Sequence, residues 1–461
     1  MKRKIFCFIL AAVMAMSLIG CTTSGNKSNT DKASDVGAED NVSKETTDVV
    51  VETDGEQIEI RFAWWGDTER NEVYNEICDR FEEANPGITV VREPNSWADY
   101  WDKLATQMAG GNAPDIFGMN PYYVSDYAGR DALADIQTYI DNGIIDVSNM
   151  SEAVVEGGKV NGTMYMISQG ITFTNQVVNT SLLEKYSGTV PAFDTDFTWD
   201  EFKAQGEEVI AAANAAGDEI YWCSDYSGRG IAFRYFAREA GGDLYTEDGQ
   251  LGYTVETVEE WFTYWQSMRD AGLVPDGATT TEDSTAALEQ RLFTQGNVCY
   301  ISSPANQLHL YQNQMTDVAL SCARFPTGND GSRGEFIEGS HFTIANSSSD
   351  QRKEAAAKLI NFFVNTKDSI EIFKMEQGVP ANTEMAEYVK ILLDDTMKTE
   401  IDYINETIKV AGEATYPPLG TTEIDSAFSD AAATVFFNEA TPAEAAESFM
   451  KTAQSVLDKN K

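Results

Sequence analysis

The apolar positions of this chain switch between two spacings. From Ile58 to Trp65 they recur at every second residue. Ile58, Ile60, Phe62 and Trp64 share one face of a strand, and Glu59, Arg61, Ala63 and Trp65 share the other. Val73, Ile77 and Phe81 then recur every four residues, which predicts an amphipathic helix that Asn85-Pro86-Gly87 stops. "ITVVRE" (88–93) reads as a second strand and completes a β-α-β unit. Ser96 and Asp99 form a capping box for another helix, with Trp101, Leu104 and Met108 on its inner face. Gly110-Gly111 ends that helix, and "PDIFGMN" (114–120) predicts a third strand.

The alternation continues. A strand-like run covers 164–174, helices are predicted at 199–213, 231–240 and 255–271, and buried strands at 297–304, 318–326 and 340–346. A helix at 355–364 follows, and the remainder is mostly helical, with no internal repeat. Strand and helix joined by short turns predict an α/β protein whose sheets are mostly parallel and covered by helices. In such sheets ligands sit outside the carboxyl ends of the strands. Trp64-Trp65-Gly66-Asp67 is such an end, and parity makes Trp65 the ring that leaves the core face.

The amino terminus follows other rules. Met1-Lys2-Arg3-Lys4 precedes an uncharged apolar run from Ile5 to Ile19, too short for a membrane span, which needs about 20 residues. Leu18-Ile19-Gly20-Cys21 resembles a bacterial lipobox, implying a signal peptide over 1–20 and a lipidated Cys21. Residues 22–57 contain no aromatic residue and read as a disordered tether.

With 33 Lys and Arg against 74 Asp and Glu, the formal net charge is −41, which excludes a nucleic-acid partner on electrostatic grounds. Cys78, Cys223, Cys299 and Cys322 lie in apolar stretches without CxxC spacing, so free thiols are expected; a bridge from Cys299 to Cys322 would require neighbouring strands. The two histidines, His309 and His341, are far apart, so no metal site is expected, and the acidic run 194–201 reads as a capped helix start. No GxSxG, HExxH or Cys-His constellation is present, no cofactor is expected, and an enzyme is not the expected reading.

An ordered series of short motifs carries a family resemblance over residues 58–458. It comprises the strand into "WWG", "FEEANPGITV", "WADYWDKLATQMAGGNAPDIF", "FTWDEF", "AREAGGDLYTEDGQ", "LFTQGNVCYISSP", "EGSHFTIANSSSDQRKEAAAKLINFFV" and "QGVPAN". In these the chain resembles the family 1 extracellular solute-binding proteins of ABC sugar importers, the family that includes maltose-binding protein. The resemblance implies a two-lobed, Venus-flytrap α/β fold joined by a hinge. The expected lobes are 58–170 plus 340–380 and 171–339 plus 381–461. It further implies a monomer anchored to the outer face of the cell membrane by lipid alone, passing a sugar to permease subunits driven by a separate ATPase.

A sugar presents apolar C–H faces and a rim of hydroxyls, so its site needs flat rings and fixed polar partners. Candidates at expected strand ends are Trp64, Trp65, Asp67, Trp97, Asn120, Tyr122, Trp222, Tyr226, Arg229, Ser303 and Asn306, with Asp67 equally suited to cap the helix that follows. Phe173, Gly339 and Ser340 are candidates at expected crossings, and Tyr416 in a late loop before Pro417-Pro418. Trp101, Trp261 and Trp265 fall on helical stripes and are assigned to the core, and Trp199 to helix-start packing. A glycerol-phosphate ester, polyamine or peptide remains the alternative ligand, and an extracellular carbohydrate-active enzyme the remote one.

Overall fold

The computed structural model describes residues 57–246, 248–412 and 415–460; the expected signal peptide, Cys21 and nearly all of the expected tether lie outside the described residues. Strands β1 (Ile58–Trp65), β2 (Ile88–Asn95) and β3 (Ile116–Met119) are separated by the helices Thr68–Ala84 and Trp97–Ala109, and both helices start where the capping residues predict. Asp67 and Ser96 accept from the backbone N–H groups of Arg70 and Asp99. A short hairpin, β4 (Lys159–Val160) and β5 (Thr163–Met164), precedes the first crossing.

The run read as a single strand at 164–174 is divided. β6 (Ile167–Thr172) belongs to one sheet and β7 (Thr174–Asn179) to the other, with only Phe173 between them. β8 (Tyr221–Cys223), β9 (Val298–Pro304) and β10 (Leu320–Ala323) complete the second sheet; β11 (Glu338–Ile344) and β12 (Val379–Pro380) return to the first. The orders are β12-β6-β11-β3-β1-β2 and β10-β7-β9-β8. The result is a two-lobed α/β fold.

The expectation of mostly parallel sheets is corrected. β1 runs parallel to β2 and β3, and β8 to β9, but every pairing that involves β6, β7 or β11 is antiparallel. Local β-α-β units impose parallel pairing, whereas strands that carry the chain between lobes enter each sheet from the opposite end. Helix Thr383–Val389 packs on β12 and the helix before it, while Asp395–Thr407 packs on β10, so the chain passes between lobes again between them.

Side chains along these crossings fasten them. The Glu338 carboxylate, on the first residue of β11, accepts from the backbone N–H of Thr174 (2.6 Å), the Thr174 hydroxyl (3.0 Å) and the Tyr235 hydroxyl (2.9 Å). The returning strand thus holds the first residue of the outgoing one. Burial pushes the Glu338 carboxyl pKa up, against these three donors. Beside it the backbones run close, and a Cβ at Gly339 would sit 2.2 Å from the Gly170 carbonyl oxygen. A contiguous core extends through Phe173 from Phe62, Trp64 and Phe342 to Val177, Val298 and Ile301.

Cys299 and Cys322 are not on neighbouring strands, because β7 lies between β9 and β10; all four described cysteines are buried free thiols. Thr198 and Glu201 close a capping box at the start of Trp199–Ala216, the structure formed by the acidic run.

Glu338→Ala is expected to lower unfolding free energy by at least about 2 kcal/mol in urea titrations, because a buried N–H loses a charged acceptor. Glu338→Gln, which keeps one acceptor oxygen, should cost less than half of that.

Candidate ligand-binding site

β1 ends by sending its two indoles to opposite sides. Trp64 is 1% exposed, packs on Phe62 and Tyr74, and donates through Nε1 to Asn71 Oδ1 at 2.9 Å. It is a core residue with no surface to offer. Trp65 turns the other way into a cluster with Trp97 (5.2 Å between ring centroids), Tyr100 (5.3 Å) and Trp101 (5.6 Å). Trp101 stacks in turn against Tyr123 at 4.3 Å. The helix opening at Trp97 brings Trp97 and Trp101 together because residues four apart share a face. Trp97 is 45% exposed, so the cluster presents an indole to solvent. Asp67 caps its helix and Asn120 caps the turn that follows β3, accepting from Tyr122 N–H at 2.9 Å.

Between the lobes, polar side chains are interlinked. Arg70 donates to the Trp65 carbonyl (3.2 Å) and to Glu376 Oε1 (2.6 Å). Asn306 donates to the Glu376 carbonyl (3.1 Å) and accepts from the Thr172 hydroxyl (2.9 Å). Ser340 accepts from Gln169 Nε2 at 3.2 Å. Phe173 is wholly buried, and Gly339 serves the close packing of β11 on β6. These candidates are therefore engaged within the hinge.

A second bridge joins the aromatic side to the helix Thr421–Phe436. The Tyr122 hydroxyl donates to Asp425 Oδ1 at 2.6 Å, Asp126 accepts from Gly420 N–H at 3.1 Å, and the Tyr416 hydroxyl donates to the Gly157 carbonyl. Tyr416 packs on the cluster that contains Trp65. Burial pushes the Asp425 carboxyl up to about 7, with the Tyr122 hydroxyl and the Arg234 charge pulling the other way.

At the carboxyl ends of β8 and β9 lies a cavity of about 450 Å³, lined by Tyr226, Arg229, Arg291, Ser302, Ser303 and Tyr311 among others. Arg229 Nη1 donates to the Ser302 carbonyl at 2.7 Å, and Ser303 donates to Gln307 Oε1 at 3.1 Å. Tyr226 reaches the cavity wall although it is 1% exposed. Trp222 does not: it is buried against Phe202 and Tyr300, and a Cβ at Gly206 would come within 2.7 Å of its ring. The loop that carries Arg229 continues to Gly230, which lies against Asp425, so cavity and bridge are contiguous.

Among the sequence candidates the structure gathers Trp65, Trp97, Tyr122 and Tyr416 on one side, and Tyr226, Arg229 and Ser303 on the other. Trp101, assigned to the core, packs against the cluster of Trp65 and Tyr100, and sequence reasoning did not select Tyr123, Arg291 or Tyr311. The four-residue spacing of Trp97 and Trp101 was a usable signal; Arg291 has none, because it arrives from a distant irregular segment. Among the described residues no group of three or more His, Cys, Asp or Glu could hold a metal ion, and no helix is long and apolar enough to cross a membrane.

Residues 76–400 match the family model described as bacterial extracellular solute-binding protein. The chain belongs to that family. Among curated relatives of this solute-binding protein, a Brucella abortus (strain 2308) protein described as a binding protein is 26% identical over 322 residues, 68% of this chain and 73% of the relative. Solved structures share its fold. An oligogalacturonide-binding protein from Yersinia enterocolitica, in complex with saturated digalacturonic acid, is similar with a TM-score of 0.76 at 21% identity, covering 88% of this chain and 100% of that one. An ABC substrate-binding protein from Listeria monocytogenes, in complex with cycloalternan, gives 0.73 at 21% identity over 87% and 100%.

The Asp425 bridge has a pH signature. Between the usual carboxyl value of 3.8 and about 7 the folded protein retains a proton that the unfolded chain releases. This group therefore makes stability fall as pH rises through that window and level off above it. The difference in Tm between the protein and Asp425→Asn, measured from pH 4 to 8, should follow that curve.

Proposed function

We propose that this solute-binding protein captures an oligosaccharide between its lobes and delivers it to an ABC permease driven by a separate ATPase. The observation that carries the reading is the exposed aromatic platform of Trp97, backed by Trp65, Trp101 and Tyr123, at the carboxyl ends of parallel strands. Sugars stack on such rings through C–H faces, and the polar cavity at the ends of β8 and β9 supplies hydroxyl partners. In this reading one lobe holds the six-stranded sheet, approximately 58–170 plus 340–380 and extended by helix Thr383–Val389, and the other holds the four-stranded sheet. Of the sequence candidates, Trp65, Trp97, Tyr122, Tyr226, Arg229, Ser303 and Tyr416 would face the solute or its margin. The saccharides named in the two similar structures support the choice of ligand class. The lipobox-like segment supports tethering through Cys21 at the outer face of the membrane, and in this reading the tethered protein acts as a monomer.

Titration of the intrinsic tryptophan fluorescence with a panel of oligosaccharides should give a saturable change for one class. Trp97→Ala should weaken that binding about tenfold, since one stacked ring contributes about 1–2 kcal/mol by area. Its unfolding free energy should fall by only about 1–2 kcal/mol, because the ring is 45% exposed, and the folded population should remain close to complete. A panel in which no saccharide binds, while a polyamine or peptide does, would overturn the sugar reading and keep the fold.

A further inference from the structure

The arginines of this strongly acidic chain are almost all paired with carboxylates. Arg234 and Arg238 share Asp243, Arg269 holds Asp225, and Arg324 and Arg333 hold Asp196. Among the described residues only Arg130, Arg229 and Arg291 have no carboxylate within 4.0 Å. Arg130 is exposed. The other two line the same cavity.

Arg229 is the more informative of the pair. It is partly buried, and its guanidinium has one protein acceptor, the Ser302 carbonyl at 2.7 Å. Burial pulls its pKa down, with Tyr226, Tyr311 and the Glu338 carboxylate acting the other way. Arg291 donates only to the Ser284 carbonyl, at 3.3 Å. Ser302 is 3% exposed, lines the cavity, and its hydroxyl has no protein partner. Two carboxylates also line the cavity, but Asp225 holds Arg269 and Asp283 accepts from the Leu292 N–H at 2.7 Å, so the two guanidinium groups and the unpartnered Ser302 hydroxyl suit an anion that also accepts hydrogen bonds.

We propose that the solute carries a carboxylate which pairs with Arg229 in this cavity, so that the ligand is an acidic, uronate-type saccharide. This rests on the sugar reading above and sharpens it. The planar guanidinium fork matches a carboxylate. Asp283 lines the same cavity and opposes a doubly charged phosphate ester more strongly than a singly charged carboxylate.

The test is calorimetric titration of the purified protein with three sets of probes: neutral oligosaccharides, uronate-containing oligosaccharides together with their carboxyl methyl esters, and sugar phosphates. A uronate-containing saccharide is expected to bind. Its methyl ester, tested on the unaltered protein, should bind about ten- to a hundredfold more weakly, the range for a charge-assisted contact. Arg229→Gln should reproduce that loss for the acid and leave the affinity for the ester within threefold. Arg291→Gln, altered at a partly exposed residue, should give a smaller loss confined to the acid. If a neutral saccharide binds best and Arg229→Gln leaves its affinity unchanged, the carboxylate is overturned and the sugar reading stands. Preference for a sugar phosphate overturns the carboxylate as well. If no saccharide of any set binds, the proposed function itself fails.

Discussion

One partly buried carboxylate sets the geometry on which the rest of the molecule depends. Glu338 begins the strand that returns to the six-stranded sheet, and it holds Thr174, the residue at which the outgoing strand enters the other sheet. Only Phe173 separates those two strands, and it is wholly buried in a core that runs from one sheet to the other. A partly buried charge is costly unless its lone pairs are filled, and here three donors fill them. The crossings are therefore anchored by specific hydrogen bonds as well as by packing.

Around these crossings the polar side chains divide the work. Arg70, Glu376, Asn306 and Thr172 connect the end of β1 to the far lobe beneath the aromatic cluster. Tyr122 and Asp425, with Asp126 and Gly420, connect the lobes beside it. The polar cavity adjoins the second bridge at the loop that carries Arg229 and Gly230, where Gly230 lies against Asp425. Flat rings together with charged and hydroxyl groups are what a polar, ring-shaped solute requires.

Legibility differed from element to element for physical reasons. The parity of β1 was readable because strand side chains alternate strictly, so Trp64 and Trp65 had to part company. Helix starts at Asp67, Ser96 and Thr198 were readable because capping is a local hydrogen bond. Trp101 was read as core because helical spacing cannot separate a stripe facing a sheet from one facing other aromatic rings. Trp222 was expected at a strand end and Phe173 at a crossing, yet packing by Phe202 and Tyr300, or by the hinge core, buries them.

By itself the sequence determined the alternation of strands and helices, the caps, and a series of motifs specific enough to indicate the family. These are properties of spacing and of contacts between residues close along the chain. Only the tertiary structure decided that the sheets are mixed, that residue 173 is the crossing point, and that β7 keeps Cys299 from Cys322. It also decided that Arg229 and Arg291, 62 positions apart in the numbering, line one cavity without a carboxylate partner. Burial and pairing depend on which distant segments meet, and no local pattern records that meeting.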